Sequence, residues 1–219
     1  MSRLIKTLLF VCLVIANSDI SAQPFAKEIA AFKKQDAISF PSKDGILFIG
    51  SSSFTKWKDV QDYFPGYPII NRGFGGSSLP DVIRYEKEII FPYLPKQIVI
   101  YCGENDVASS DTITAKIVFE RFKLLFTDIR SAMPGVPIVF VSLKPSPSRW
   151  QMKDRMKAAN KYIKKYLAKR KKTDFVNVWD AMLDGDGNPI KDIFLSDNLH
   201  MNAKGYAIWQ KLLAPYLLK

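Results

Sequence analysis

The sequence predicts an α/β fold, a three-layer α/β/α sandwich in which one parallel sheet of five strands lies between helices. Three observations predict it. Short apolar runs bounded by turn residues alternate with longer amphipathic stretches. Those runs are apolar at successive positions instead of every second one, the pattern of parallel strands buried on both faces. The composition, 47% hydrophobic and 24% charged over 219 residues, is that of an ordinary globular chain and argues against collagen, extended disorder and repeat arrays.

At the start of the chain, Arg3 and Lys6 precede an apolar run over residues 8–16, and Ser21 and Ala22 follow it. This is the layout of a secretory signal peptide over residues 1–22, with cleavage expected near Ala22. The run is short for a membrane span, so an uncleaved anchor is the lesser alternative and no span is expected after cleavage. Cys12 follows Val11, not a small residue, which fits a lipoprotein site poorly. Residues 23–219 then form one domain whose only thiol is Cys102. Without an internal disulfide, an exported chain of this kind rests on its hydrophobic core, which fits a periplasmic or secreted protein.

Along this domain, residues 24–38 read as a helix laid over the sheet, followed by strands at 46–49 and 68–70. Ser78 is a candidate helix cap, and Pro80 sits in the first turn of a helix over residues 80–93 that places Val82, Tyr85, Ile89 and Ile90 at helical spacing. The third strand is expected at 97–102. A helix over 112–133 carries Ile113, Ile117, Leu124, Leu125 and Ile129 on its apolar stripe. The fourth strand, 137–143, leads to a helix over 150–171 carrying Met152, Met156, Ala159, Ile163 and Leu167. A fifth strand at 174–179 and a helix over 203–218 close the chain.

Lys and Arg number 32 against 21 Asp and Glu, a net charge of +11, and much of the excess falls in residues 153–172. Such a stretch reads either as an anionic-surface or nucleic-acid patch, or as the solvated outer face of a helix with cations toward its C-terminus. The second reading is preferred, and no nucleic-acid partner is expected of an exported chain.

Three segments fall at or beyond the C-terminal ends of expected strands, where open parallel sheets bind ligands, and a fourth precedes the last helix. The first runs from strand 46–49 into Gly50, Ser51, Ser52 and Ser53. Residues 71–78 hold Gly73, Gly75 and Gly76, which allow close backbone approach but lack dinucleotide-binding spacing. The third is Gly103-Glu104-Asn105-Asp106, and the fourth ends in Asp197 and His200. Taken singly, each also reads as an ordinary turn, cap or structural histidine. His200 is the molecule's one histidine, so a general base of the imidazole type can be no other residue. Asp197, three residues earlier, is placed to hold one ring nitrogen while the other faces a nucleophile.

In this order, the four segments resemble the SGNH or GDSL hydrolase family, whose blocks contribute Ser, Gly, Asn and His, over about residues 46–206. The resemblance implies a flavodoxin-like fold and a carboxylic ester hydrolase needing no cofactor and no metal. It implies Ser52 as nucleophile, Asp197 and His200 as its triad partners, and an oxyanion hole from Ser52, Gly76 and Asn105. Ser51 stands where the family usually has Asp, and Ser53 where the block has Leu, so these adjacent hydroxyls are the alternatives to Ser52.

Residues 144–150 follow the fourth strand and are expected to overhang the site. They offer Arg149 for a carboxylate or hydroxyl-rich substrate and Trp150 for stacking on a sugar face, with loop packing the competing reading. Residues 184–188 superficially resemble a calcium loop, but Leu195 stands where its glutamate should, so a turn is expected. The expected substrate is a small acyl ester, with acetylated glycans foremost. Lysophospholipid or thioester cleavage, acyl transfer to an alcohol, and a non-catalytic glycan- or surface-binding role are the alternatives.

Overall fold

A computed structural model describes residues 23–219; the signal-peptide expectation for residues 1–22 lies outside the described residues. The five expected strands form: β1 (Ile46–Gly50), β2 (Ile69–Gly73), β3 (Gln97–Tyr101), β4 (Ile138–Val141) and β5 (Thr173–Val176). They pair in parallel in the order β2-β1-β3-β4-β5, the doubly wound flavodoxin-like order. The chain reverses its direction of winding between β1 and β3. Ligands of such sheets bind where strands diverge at that point, beyond the carboxyl ends.

The helices are α1 (Ala26–Ile38), α2 (Ser52–Thr55), α3 (Val60–Tyr63), α4 (Leu79–Arg84), α5 (Glu86–Ile89), α6 (Glu104–Ser109), α7 (Ala115–Ala132), α8 (Lys153–Leu167) and α9 (Ala203–Leu213). Because successive strand side chains point to opposite faces, β1 sends Leu47 and Ile49 one way and Ile46 and Phe48 the other. The first face packs under α1, α4, α5, α7 and α8. The second packs against α2, α3 and α9, in an aromatic cluster of Phe48, Phe54, Trp57, Tyr101, Tyr206 and Trp209. Fully burying each such side chain contributes about 1.5–3 kcal/mol before the entropy of ordering is set against it.

Several boundaries differ from expectation for identifiable reasons. The helix expected over 80–93 is broken at Tyr85 (φ −106°, ψ 12°), whose hydroxyl is tied to the Pro24 carbonyl at 2.7 Å. Pro92 then lies in a separate 3₁₀ turn, Phe91–Tyr93. Strand β2 extends to Gly73, since the Arg72 side chain is carried into the interior by Asp36 at 2.5 Å and the Tyr93 hydroxyl at 2.6 Å. The last helix stops at Leu213, and Pro215 lies in the 3₁₀ turn that follows.

The basic stretch is split by its helix. Met156, Ala159, Ile163 and Leu167 of α8 are buried, while Lys157, Lys161, Lys164 and Lys165 are exposed. Arg155 leaves that face to bond the carbonyls of Ser110 and Ile113, and Lys172 bonds that of Gly135.

Candidate active site

The site begins where β1 ends. Gly50 adopts φ +130°, and a Cβ there would stand 2.0 Å from the Tyr101 carbonyl oxygen, so only glycine lets β1 turn this close to β3. The chain then enters α2 with Ser52 in its first turn. Asn71 of β2 locks that short helix in place, donating to the Phe54 carbonyl at 2.7 Å while accepting from the Gly73 N–H. The Tyr206 hydroxyl of α9 donates to the Ser53 carbonyl at 2.9 Å. A single-turn helix has little stability of its own, and these two bonds with the buried Phe54 ring supply it.

His200 reaches the same point from the opposite side. Asp197 Oδ1 accepts from the N–H groups of Leu199 and His200 at 3.0 and 2.9 Å, closing a tight turn in which Asn198 has φ 54°. The other carboxylate oxygen lies 2.6 Å from His200 Nδ1, and His200 Nε2 lies 3.0 Å from Ser52 Oγ. Asn202 caps the following helix, accepting from the N–H groups of Lys204 and Gly205, and so fixes the turn's exit. Partial burial opposes the Asp197 charge, but the bonds from the imidazole and the two backbone N–H groups outweigh it and hold the carboxyl well below the usual range.

The three adjacent serines have separate partners. Only Ser52 places its hydroxyl against the imidazole. Ser51 Oγ accepts from Asn105 Nδ2 at 2.8 Å and lies 2.6 Å from the Ser52 N–H nitrogen, whereas Ser53 lies on the buried side of α2. Asn105 sits in the first turn of α6, at the end of β3, and its Nδ2 also donates to the Ser77 carbonyl at 2.9 Å. Gly76, at φ +85°, is in the loop that carries Ser77, and its N–H has no acceptor among the described residues. The edge of the Phe25 ring would stand 3.8 Å from a Cβ at this glycine. The structure therefore joins Asp197, His200 and Ser52 in one chain, ties Asn105 to it through Ser51 Oγ, and places Gly76 next to Ser77, whose carbonyl Asn105 bonds.

Arg149 and Trp150 belong to a kinked 3₁₀ segment, Pro147–Met152. Arg149 differs from the free cation expected of a substrate anchor, because its guanidinium is already engaged: Nη1 lies 3.2 Å from Glu104 Oε1 and Nη2 donates to Asn105 Oδ1 at 2.8 Å. Trp150 stacks on Trp179 with centroids 6.1 Å apart and helps wall a cleft of about 710 Å³ with Pro147, Asn188, Ile190 and Asp192. This cleft flanks the segment that Ser148 ties to the Asn198 carbonyl at 3.1 Å, beside the His200 turn. Asp184, on the same cleft, accepts from the N–H groups of Asp186 and Asn188, which makes residues 184–188 a turn.

Sequence reasoning missed Glu104 and Lys144. Both are buried, at 4% and 1% exposure, with Lys144 Nζ donating to Glu104 Oε2 at 2.8 Å and the Tyr101 hydroxyl donating to the same oxygen. Burial disfavours both charges, yet Lys144 and Arg149 keep the Glu104 carboxyl below its usual range. The one available signal was a carboxylate directly behind the C-terminus of a buried strand.

Fold and site together define a class: a doubly wound α/β protein with a hydroxyl–imidazole–carboxylate chain at its topological switch point. Sequence comparison gives the family. The GDSL-like lipase/acylhydrolase family model matches residues 49–208, and the chain belongs to that family of hydrolases. No curated protein matches it by sequence. Among solved structures it is similar to a putative platelet activating factor from Streptococcus pneumonia, at 21% identity and TM-score 0.77, covering 88% of this chain and 92% of that one. A GDSL-like lipase from Bacteroides thetaiotaomicron aligns at 22% identity and TM-score 0.72, covering 85% and 95%. An acetylxylan esterase from Geobacillus stearothermophilus aligns at 16% and 0.63, covering 82% and 96%. At these identities the likeness establishes the fold.

Proposed function

We propose that the protein is an exported serine esterase that hydrolyses short acyl esters, acetyl esters of carbohydrates foremost. The observation that carries this reading is the continuous chain from Ser52 Oγ through both ring nitrogens of His200 to Asp197, at 3.0 and 2.6 Å. His200 Nε2 takes the Ser52 proton as Oγ attacks the ester carbonyl carbon, and Asp197 stabilises the imidazolium that forms. The carbonyl oxygen becomes an oxyanion, met by the N–H groups of Ser52 and Gly76 and by Asn105 Nδ2. His200 then protonates the departing alcohol. In the second half, it deprotonates a water that attacks the acyl carbon, and Ser52 leaves with the proton.

The Phe25 ring edge lies beside Gly76, where it would border a small acyl group. The cleft lined by Trp150, Asn188 and Asp192 offers hydrogen-bonding groups beside an aromatic side chain, a lining suited to a sugar alcohol. The acetylxylan esterase among the structural neighbours is consistent with the same choice.

The test is hydrolysis of p-nitrophenyl esters of increasing chain length, then of acetylated oligosaccharides, alongside fluorophosphonate labelling. Activity should peak at acetate, and labelling should vanish in Ser52→Ala. Wild-type rates in purified His200→Ala would refute the mechanism; salt-sensitive adsorption to anionic polymers with no labelling would point to a binding protein instead.

A further inference from the structure

We propose that Arg149, braced by the buried Glu104–Lys144 pair, is a positioning residue that fixes the carboxamide of Asn105 and thereby aims one oxyanion donor; this rests on the esterase reading above. An asparagine amide has a donor end and an acceptor end of nearly equal shape, and a half-turn exchanges them. Only one orientation serves catalysis, since a carbonyl oxygen turned toward the oxyanion would repel it.

The structure supplies a lock for that choice. Arg149 Nη2 donates to Asn105 Oδ1 at 2.8 Å, and the Ser77 carbonyl accepts from Nδ2 at 2.9 Å. Flipping the amide would set donor against donor and acceptor against acceptor. The second Nδ2 hydrogen is thereby directed at Ser51 Oγ, 2.8 Å away, the same atom that lies 2.6 Å from the Ser52 nitrogen. Two of the three assigned oxyanion donors thus converge on one point, where an ester oxygen would compete with the Ser51 hydroxyl for them.

The lock is itself held. The Arg149 fork spans Glu104 Oε1 and Asn105 Oδ1, two acceptors on successive residues, and a single ammonium lacks that geometry. Glu104 cannot swing away, because Lys144, Tyr101 and Ser146 also bond its carboxylate. Two cations around one carboxylate leave net positive charge behind the amide. A guanidinium on Oδ1 polarises the carboxamide and strengthens its N–H as a donor to developing negative charge.

A double-mutant cycle on p-nitrophenyl acetate hydrolysis tests this, with melting temperature checking the fold of each variant. Arg149→Met should lower kcat about 10- to 100-fold with KM within about twofold, part of the hundred- to thousandfold loss of a whole donor. Combined with Asn105→Ala, it should add almost nothing to the loss from Asn105→Ala alone, because both remove one function. Arg149→Lys keeps the charge and should stay closer to Arg149→Met than to wild type, which serves if Arg149→Met fails to fold. Multiplying losses in the double variant, or a raised KM at unchanged kcat, would overturn the proposal and make Arg149 a direct substrate contact. Absence of both turnover and Ser52 labelling in the wild type would instead remove the esterase reading, and the proposal with it.

Discussion

Replacing Asp197 by Asn should be more damaging than deleting its side chain. In the native turn, Oδ1 accepts two backbone N–H groups at 3.0 and 2.9 Å, and Oδ2 faces His200 Nδ1 at 2.6 Å. An asparagine has one acceptor oxygen, and the two backbone donors claim it at about 1 kcal/mol each against a single bond to the ring. Its NH₂ group then points at Nδ1, which must accept, so the ring proton moves to Nε2. That nitrogen lies 3.0 Å from Ser52 Oγ and would face it as a donor, unable to take the serine proton. Recovering the working tautomer breaks both backbone bonds and the amide–Nδ1 bond, about 1 kcal/mol each, and leaves donors unpaired at about 1–3 kcal/mol more; with 1.36 kcal/mol per tenfold this is a fall in kcat on the order of 10³–10⁴. Asp197→Ala leaves the ring free to choose its tautomer and should lose about 10²–10³. The assay is steady-state p-nitrophenyl acetate hydrolysis with circular dichroism as the fold control. An Asp197→Asn enzyme within tenfold of wild type, or faster than Asp197→Ala, would refute the tautomer argument.

Ser51→Ala removes an acceptor shared by Asn105 and the Ser52 N–H but leaves the hydroxyl that faces His200, so kcat should change by less than about tenfold, the scale of one neutral hydrogen bond; loss as complete as in Ser52→Ala would move the nucleophile to Ser51. Gly50→Ala forces a Cβ to within 2.0 Å of the Tyr101 carbonyl at φ +130°. A cost of about 4 kcal/mol is expected, and calorimetry should show the melting temperature falling by roughly 8–16 °C; an unchanged melting temperature would mean that β1 relaxes freely. The depressed Asp197 carboxyl stabilises the fold above the unfolded-state value of about 3.9 and loses that contribution as pH falls below it. At 46% exposure, solvent screening holds the effect under about 1 kcal/mol. The melting-temperature gap between wild type and Asp197→Asn should therefore narrow between pH 7 and pH 3, and a widening gap would contradict the assigned direction.

The parts of this molecule that the sequence makes legible are those whose reasons are local. The apolar runs of β1, β3 and β4 identify themselves because both their faces are buried, and Asp197 and His200 announce their pairing because one turn separates them. The end of β2 hides its nature: Asn71, Arg72 and Gly73 look like loop, and Arg72 is tolerable inside because Asp36 and Tyr93, distant in sequence, meet it. Arg149 hides in the same way. Beside a serine- and proline-rich loop it reads as an exposed cation waiting for a ligand, whereas its partners, Glu104 and Asn105, come from another strand end. Pattern reading assigns charges to the surface because isolated burial is costly, so it errs where a partner supplied by topology removes that cost. Glu104, Lys144 and Arg149 gather behind the Asn105 amide, and under the proposed mechanism their placement follows from what an oxyanion donor requires, not from what the core requires.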